Sequence, residues 1–106
     1  THVDAYDAFC NGTWLLEARE YRQAALALER AKALEPDKGS IREALGRAYL
    51  SSRSYRRAAE EFAAAVELSP TDGYAHYGLA RSLDRLGDPL AARHYRLAEC
   101  FGTGLD

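Results

Sequence analysis

Alanine, glycine and a few large apolar residues recur along this chain at helical spacing, with basic and acidic residues interspersed among them. In the middle of the sequence Ala58, Phe62 and Ala65 fall at i, i+4 and i+7, one face of a helix, and Leu45 and Tyr49 do likewise on the helix before. Gly46 and Ala58 have almost no side chain. Two helices can therefore approach closely there, while Tyr49 and Phe62 fill the gap beside the contact.

The hairpin so predicted is repeated. Sliding the sequence 34 positions along itself sets Gly12 on Gly46, Leu16 on Leu50, Tyr21 on Tyr55, Ala24 on Ala58, Ala31 on Ala65, Leu34 on Leu68 and Pro36 on Pro70. A fixed period of this kind signals stacked units rather than one globular core. A third copy begins with Leu79 on Leu45 and Arg81 on Arg47. After Gly87 it loses one residue, where Asp88 and Pro89 stand in for Ser54, Tyr55 and Arg56, and the register resumes at Ala91, Tyr95, Ala98 and Phe101. That position is a predicted turn, where a deletion is tolerated.

Pro36 and Pro70 end the second helix of their repeats, because proline lacks an amide hydrogen and disfavours helix at the residue before it. Asp37, Ser40, Thr71 or Asp72 is placed to cap the helix that follows, and Ser40 with Glu43 has capping-box spacing. No hairpin can bury its apolar faces alone, so three copies are about the minimum for a stable stack.

Leu45-Gly46, Tyr49, Ala58, Phe62 and Pro70 match a pattern of L-G-x-x-Y, A-x-x-x-F and P. On these residues the chain resembles the tetratricopeptide repeat family. The resemblance covers residues 5–38, 39–72 and 73–102, and the first repeat departs most, with Asn11 where Leu45 stands and Ala8 where the family often has Trp. It implies an all-α fold, an α-solenoid of three antiparallel helical hairpins, as a single array over residues 1–106. It also implies a non-enzymatic scaffold that holds a protein or peptide in a concave groove.

In the resembled family the first helix of each hairpin lines that groove, through the second, fifth, ninth, twelfth and thirteenth residues of each repeat. Carried over, these positions are Tyr6, Phe9, Thr13, Leu16 and Glu17, then Ser40, Glu43, Arg47, Leu50 and Ser51, then Tyr74, Tyr77, Arg81, Asp84 and Arg85. Arg47 and Arg81 occupy equivalent places and should project side by side, a geometry suited to gripping carboxylates. Tyr6, Phe9, Tyr74 and Tyr77 are candidate apolar anchors. The expected partner is a peptide with acidic and apolar side chains. The alternative is a solvated face in which Arg47 pairs with Glu43 and Arg81 with Asp84. The subtype that clamps the carboxylate of chaperone tails carries Lys, Asn and Arg where this chain has Phe9, Thr13, Ala44, Tyr74 and Gly78, so the resemblance does not extend to it.

A rival reading is an assembly unit. The last helix is expected to carry Leu90 and Leu97 where earlier repeats have Gln23 and Arg30, or Arg57 and Ala64, and only Gly102 to Asp106 follow, too few for a closing helix. That face would then meet a twin chain as a homodimer, another partner, or a capping helix beyond this sequence.

Composition narrows the field. Alanine, leucine and arginine abound, which favours helix. The Ala and Arg richness also fits a bacterial protein from a GC-rich genome. A net charge of −2 with mixed signs provides no field for nucleic acid or anionic lipid. No apolar run approaches the roughly 18 residues of a membrane span, and Thr1 to Tyr6 lacks a leader's charged-then-apolar pattern, so the cytoplasm is the expected location.

Catalysis would need a nucleophile beside a base, a metal cluster or paired carboxylates in a pocket, and no such group is recognisable, so no cofactor or metal is expected. His76 and His94, on different helices, read as ordinary packing or surface histidines. Cys10 and Cys100 lie far apart and read as reduced thiols, Cys10 as a small packed group. Arg56 and Arg57 stand at i, i+4 from Glu60 and Glu61, a solvated ion-paired face. Trp14 is expected in the core between hairpins. Gly102 and Gly104 read as a helix stop rather than a phosphate loop.

Overall fold

A computed structural model describes residues 4–105. Thr1–Val3 and Asp106, the ends of the expected array and part of the segment read as lacking a leader, lie outside the described residues. Among the described residues there are six helices and no strand: α1 (Ala5–Glu17), α2 (Tyr21–Leu34), α3 (Gly39–Ser51), α4 (Tyr55–Leu68), α5 (Gly73–Arg85) and α6 (Ala91–Phe101). The hairpins α1–α2, α3–α4 and α5–α6 stack in chain order into a body of 45 × 25 × 24 Å. No described helix is long and apolar enough to cross a membrane.

Local chemistry sets the helix ends. Asp4 caps α1 by accepting from the Asp7 amide at 2.8 Å, and Asp72 caps α5 by accepting from the Tyr74 and Ala75 amides. The expected Ser40–Glu43 capping box does not form, because α3 starts at Gly39 with Lys38 as its N-cap and Ser40 already lies in the first turn. Each hairpin turns through a left-handed residue at the same register: Arg19 (φ 62°), Arg53 (φ 66°) and Gly87 (φ 75°). Only glycine adopts that conformation without a Cβ penalty. In the third hairpin the deleted residue removes the first turn of the second helix. α6 starts at Ala91, the register of Ala58, whereas α4 starts at Tyr55. Leu90, expected on the last helix, is instead its N-cap residue and is 53% exposed.

The seams between hairpins show matched sizes. A Cβ on Gly12 would lie 2.5 Å from Leu28, so that leucine fills the space a side chain there would need. Leu28 shares its buried cluster with Ala44 of the next hairpin. One repeat on, the larger Phe62 replaces Leu28 and lies against Gly46, while Ala44 becomes Gly78, whose missing Cβ also leaves room for the Phe62 ring. A bigger ring is accommodated by a smaller neighbour, as close packing requires.

At the ends of the stack several apolar seam positions carry polar residues. α4 meets α5 through Ala59, Ala63 and Val66, in one cluster with Leu79 and Leu83. Their register equivalents on α6 are Ala92, Arg96 and Glu99, all exposed. The seam side of α6 is therefore largely polar, unlike the apolar end expected from Leu90 and Leu97, and Leu97 is half-buried. On α1, Asp7 and Asn11 stand where α3 has Ile41 and Leu45. Trp14, expected in the core, is 68% exposed. α1 buries Ala8, Gly12 and Leu16, and Trp14 lies on another face, at the register of Ala48, which packs against the preceding hairpin. Cys10 holds the register of Ala44 and is exposed for the same reason.

Successive first helices touch one another, α1 with α3 and α3 with α5, whereas α2, α4 and α6 do not. The stack is thus bent, with α1, α3 and α5 along its concave side.

Candidate functional site

The concave face gathers two cations and two tyrosines. Arg47 on α3 and Arg81 on α5, equivalent by register, are both exposed. Neither has a carboxylate within 4.0 Å among the described residues, so the Arg47–Glu43 and Arg81–Asp84 pairs of a solvated face are absent. The Arg81 guanidinium lies 5.9 Å from the Tyr77 ring centre, and Asp84 accepts instead from the Tyr95 hydroxyl at 3.3 Å. Tyr77 is half-buried, edge-on to Tyr95 at 6.2 Å. Tyr74, also half-buried, meets Phe62 edge-on at 6.3 Å. Burial raises the Tyr74 phenol above its ordinary pKa, the charges of Arg47 and Arg81 oppose that rise and Glu43 adds to it, so all three act on one hydroxyl.

Glu43, on α3 one helical turn before Arg47, is perturbed as well. Burial first, and a hydrogen bond with Asp72 second, push its carboxyl up to about 8. Asp72 is fixed by its cap, with Oδ1 accepting from the Tyr74 amide at 3.0 Å and the Ala75 amide at 3.2 Å. Among the described residues no Glu43 carboxylate oxygen lies within 4.0 Å of the Arg47 guanidinium.

At the other end of the face Tyr6, 73% exposed, and half-buried Phe9 border a recess of about 220 Å³ with Ser40 and Ile41. The remaining carried-over positions do not join these groups. The Thr13 hydroxyl donates to the Cys10 carbonyl at 3.0 Å, Glu17 is exposed at the end of α1, and Arg85 lies 5.8 Å over Tyr55 of α4. Leu16, also carried over as a groove residue, is buried in the core.

The convex side holds what sequence reasoning missed. Glu61, expected on a solvated face with Arg57, is buried and accepts from Lys32 at 2.9 Å and Arg42 at 3.0 Å. Arg57 lies over Tyr49 at 5.9 Å, and the Tyr49 hydroxyl donates to Glu29 at 2.6 Å. Between α2 and α4 lies a trough of about 430 Å³ bordered by Arg22, Leu26, Glu29, Tyr49 and Arg57. The signal for Glu61 was its register: the equivalent Ala27 is apolar.

His76 and His94, read as ordinary packing or surface histidines on different helices, meet. Their Nδ1 atoms are 3.0 Å apart and His76 Nε2 is 2.7 Å from the Pro70 carbonyl oxygen. A carbonyl only accepts, so His76 donates through Nε2 and receives the proton of His94 at Nδ1. Ring centres 5.2 Å apart with planes 20° from parallel fit rings set nearly end to end, sharing one proton.

A tetratricopeptide repeat model matches residues 12–73 and again 43–101. No curated protein sequence matches the chain. Among solved structures, a MamA RS-1 double mutant is 26% identical with a TM-score of 0.86, over 92% of this chain and 55% of that one. MamA from Desulfovibrio magneticus RS-1 is 25% identical with a TM-score of 0.85, over 95% and 58%. The CopN-Scc3 complex, 15% identical with a TM-score of 0.86 over 94% and 59%, shares the fold. The chain thus spans 55% to 59% of the length of these structures.

Proposed function

The chain belongs to the tetratricopeptide repeat family, and from that premise we propose that it is a non-enzymatic scaffold whose concave face holds a segment of another protein bearing acidic and apolar side chains. The observation that carries this reading is the pair of exposed arginines, Arg47 and Arg81, with no carboxylate partner among the described residues, beside half-buried Tyr74 and Tyr77. Planar guanidinium groups recognise carboxylates in a forked geometry, and tyrosines supply stiff contact area at little entropic cost. Tyr6 and Phe9, with the recess toward Ile41, provide a second, apolar foothold. One structure of the same fold is of a complex, CopN-Scc3, which agrees with a protein partner.

A peptide array varying acidic, basic and apolar side chains tests this. Peptides combining Glu or Asp with Leu or Phe should bind, and Arg47→Ala with Arg81→Ala should weaken them about tenfold or more, since each charged contact is worth about 1.5–3 kcal/mol. If the double variant retained every ligand, the arginines would not be the recognition element.

Self-association through Leu90 and Leu97 is the second reading. The 53% exposure of Leu90 favours it, and the polar seam side of α6 weighs against it. A strict monomer in sedimentation at high concentration would remove it.

A further inference from the structure

We propose that one copy of this chain seats the outer face of its α1 on the outer face of α6 of a second copy, continuing the stack head to tail with Trp14 as the anchor. The contact is separate from the groove and differs from a symmetric one through Leu90 and Leu97, because it joins opposite ends of the molecule. The internal seams show how such a joint is built. Between the first and second hairpins Ala48 of α3 is buried in one cluster with Ala24 and Leu28, and the ring of Tyr21, the first residue of α2, packs against that cluster. A large residue at the start of the second helix is matched there by a small one on the helix that follows.

The two ends of the stack reverse that match. α1 carries Trp14 at the register of Ala48, 68% exposed and uncovered among the described residues. α6 begins only at Ala91, and Asp88 and Pro89 stand where the first hairpin has Glu20, Tyr21 and Arg22. The ring that flanks the internal seam is therefore missing from α6, where Pro89, Leu90 and Ala92 are exposed instead. The indole supplies the bulk that the shortened helix lacks, and those three residues form an apolar seat for it. Farther along, Cys10 takes the register of Ala44 and Gly78, the small residues set over Leu28 and Phe62, and meets half-buried Tyr95 at the register of those two. α4 and α5 are joined by a short turn, so the end of one lies beside the start of the other. The same crossing between copies sets Arg96 near Asp7 and Asn11, and Glu99 near Asp7. Arg96 attracts Asp7 and Glu99 repels it, so the charges roughly cancel and the apolar anchor decides the contact. Each joint leaves one α1 face and one α6 face free, so copies add one after another.

Trp14 is the only tryptophan in the chain, so its fluorescence reports the contact directly. Across a dilution series of the full chain, emission should move to shorter wavelength as concentration rises, while sedimentation shows the mass growing past that of a dimer. Trp14→Ala restores the residue that α3 has, and Ala92→Arg changes an exposed position, so both should keep the melting temperature of the unaltered chain at low concentration. Each should weaken association about thirtyfold or more, as loss of a central anchor does. Mixed in equal amounts, the two variants still hold one intact α1 face and one intact α6 face, and they should form a one-to-one pair that grows no further. Glu99→Lys should tighten the contact about two- to fivefold, the scale of one exposed charge pair. A chain that stays monomeric with its emission unmoved leaves the face to another occupant and overturns the proposal. So does association that persists in Trp14→Ala, as a symmetric contact through Leu90 and Leu97 would, a mixture that yields no pair, or a contact weakened by Glu99→Lys.

Discussion

The second and third hairpins solve the same local problem with different chemistry. In the second, Arg42 donates through Nε to the Pro36 carbonyl at 2.9 Å and through Nη1 to Glu61 at 3.0 Å, tying the start of α3 to α4. One repeat later, His76 takes the place of Arg42, His94 that of Glu61 and Pro70 that of Pro36, with contacts of 3.0 and 2.7 Å. In the first hairpin both helix positions are alanines, Ala8 and Ala27. The geometry is conserved between repeats while the charge is not. A guanidinium–carboxylate pair keeps its charges across ordinary pH, whereas two imidazoles sharing one proton cannot both be charged without setting N–H against N–H. The clasp between α5 and α6 thus responds to acid through His94.

Three changes break or sharpen that contrast. The largest severs the two hairpins from each other. Phe62→Ala should cost ~3–5 kcal/mol, like other large core truncations, because Phe62 fills the room left by Gly46 and Gly78 at once. Chemical denaturation should then show the third hairpin melting before the rest; an unchanged urea midpoint would contradict the seam.

The intermediate effect is the difference in pH response. Burial first, then the charges of His76 and Arg93, lower His94 below its ordinary 6.5, with Asp88 opposing. The unfolded chain therefore binds the His94 proton more readily than the native one does. Stability is complete above about pH 6.5, falls as pH drops toward the depressed folded value, and levels off below it. Replacing the pair by its counterpart, His76→Arg with His94→Glu, should flatten the fall. Glu61→Ala should instead cost about 1–3 kcal/mol at pH 6 and pH 8 alike, since it strands Lys32 and Arg42 at both. Melting curves across pH 5 to 8 check this; an acid loss surviving in the double replacement would place its source elsewhere.

The smallest effect lies in the turns. Arg53 holds the left-handed conformation that Gly87 holds one repeat later. Arg53→Gly should stabilise by at most about 1 kcal/mol, relief of the Cβ penalty being partly offset by the entropy of a freer unfolded chain. A lower melting temperature would show that the arginine side chain contributes more than its backbone strain.

The same register logic shows how much was legible. The period and the proline stops disclose all six helices, because each hairpin carries its own punctuation. Side-chain partners were harder, since they depend on which face of a helix meets which neighbour. Trp14 looked like core because its helix face is usually buried between hairpins, yet its register matches Ala48, a residue that needs a preceding hairpin to cover it. Glu61 looked like surface because it stands at i+4 from Arg57, yet its register matches buried Ala27. The two histidines lie at the register of an ion pair. Comparing the repeats position by position, rather than each residue with its sequence neighbours, exposes all three. The raised Glu43 carboxyl had no such signal, because Ser40 and Glu43 read locally as a capping box while Asp72 lies almost thirty residues on, in the turn before α5.

On the convex face Lys32 and Arg42 are held by the buried Glu61, whereas on the concave face Arg47 and Arg81 have no carboxylate within 4.0 Å among the described residues. Amide chemical-shift mapping with a blocked octaglutamate peptide at pH 6.5 asks which face receives an acidic guest. The account predicts saturable shifts around Arg47, Tyr74, Tyr77 and Arg81 with the amides of Leu26, Tyr49 and Arg57 unmoved; shifts centred on the α2–α4 trough instead would contradict it.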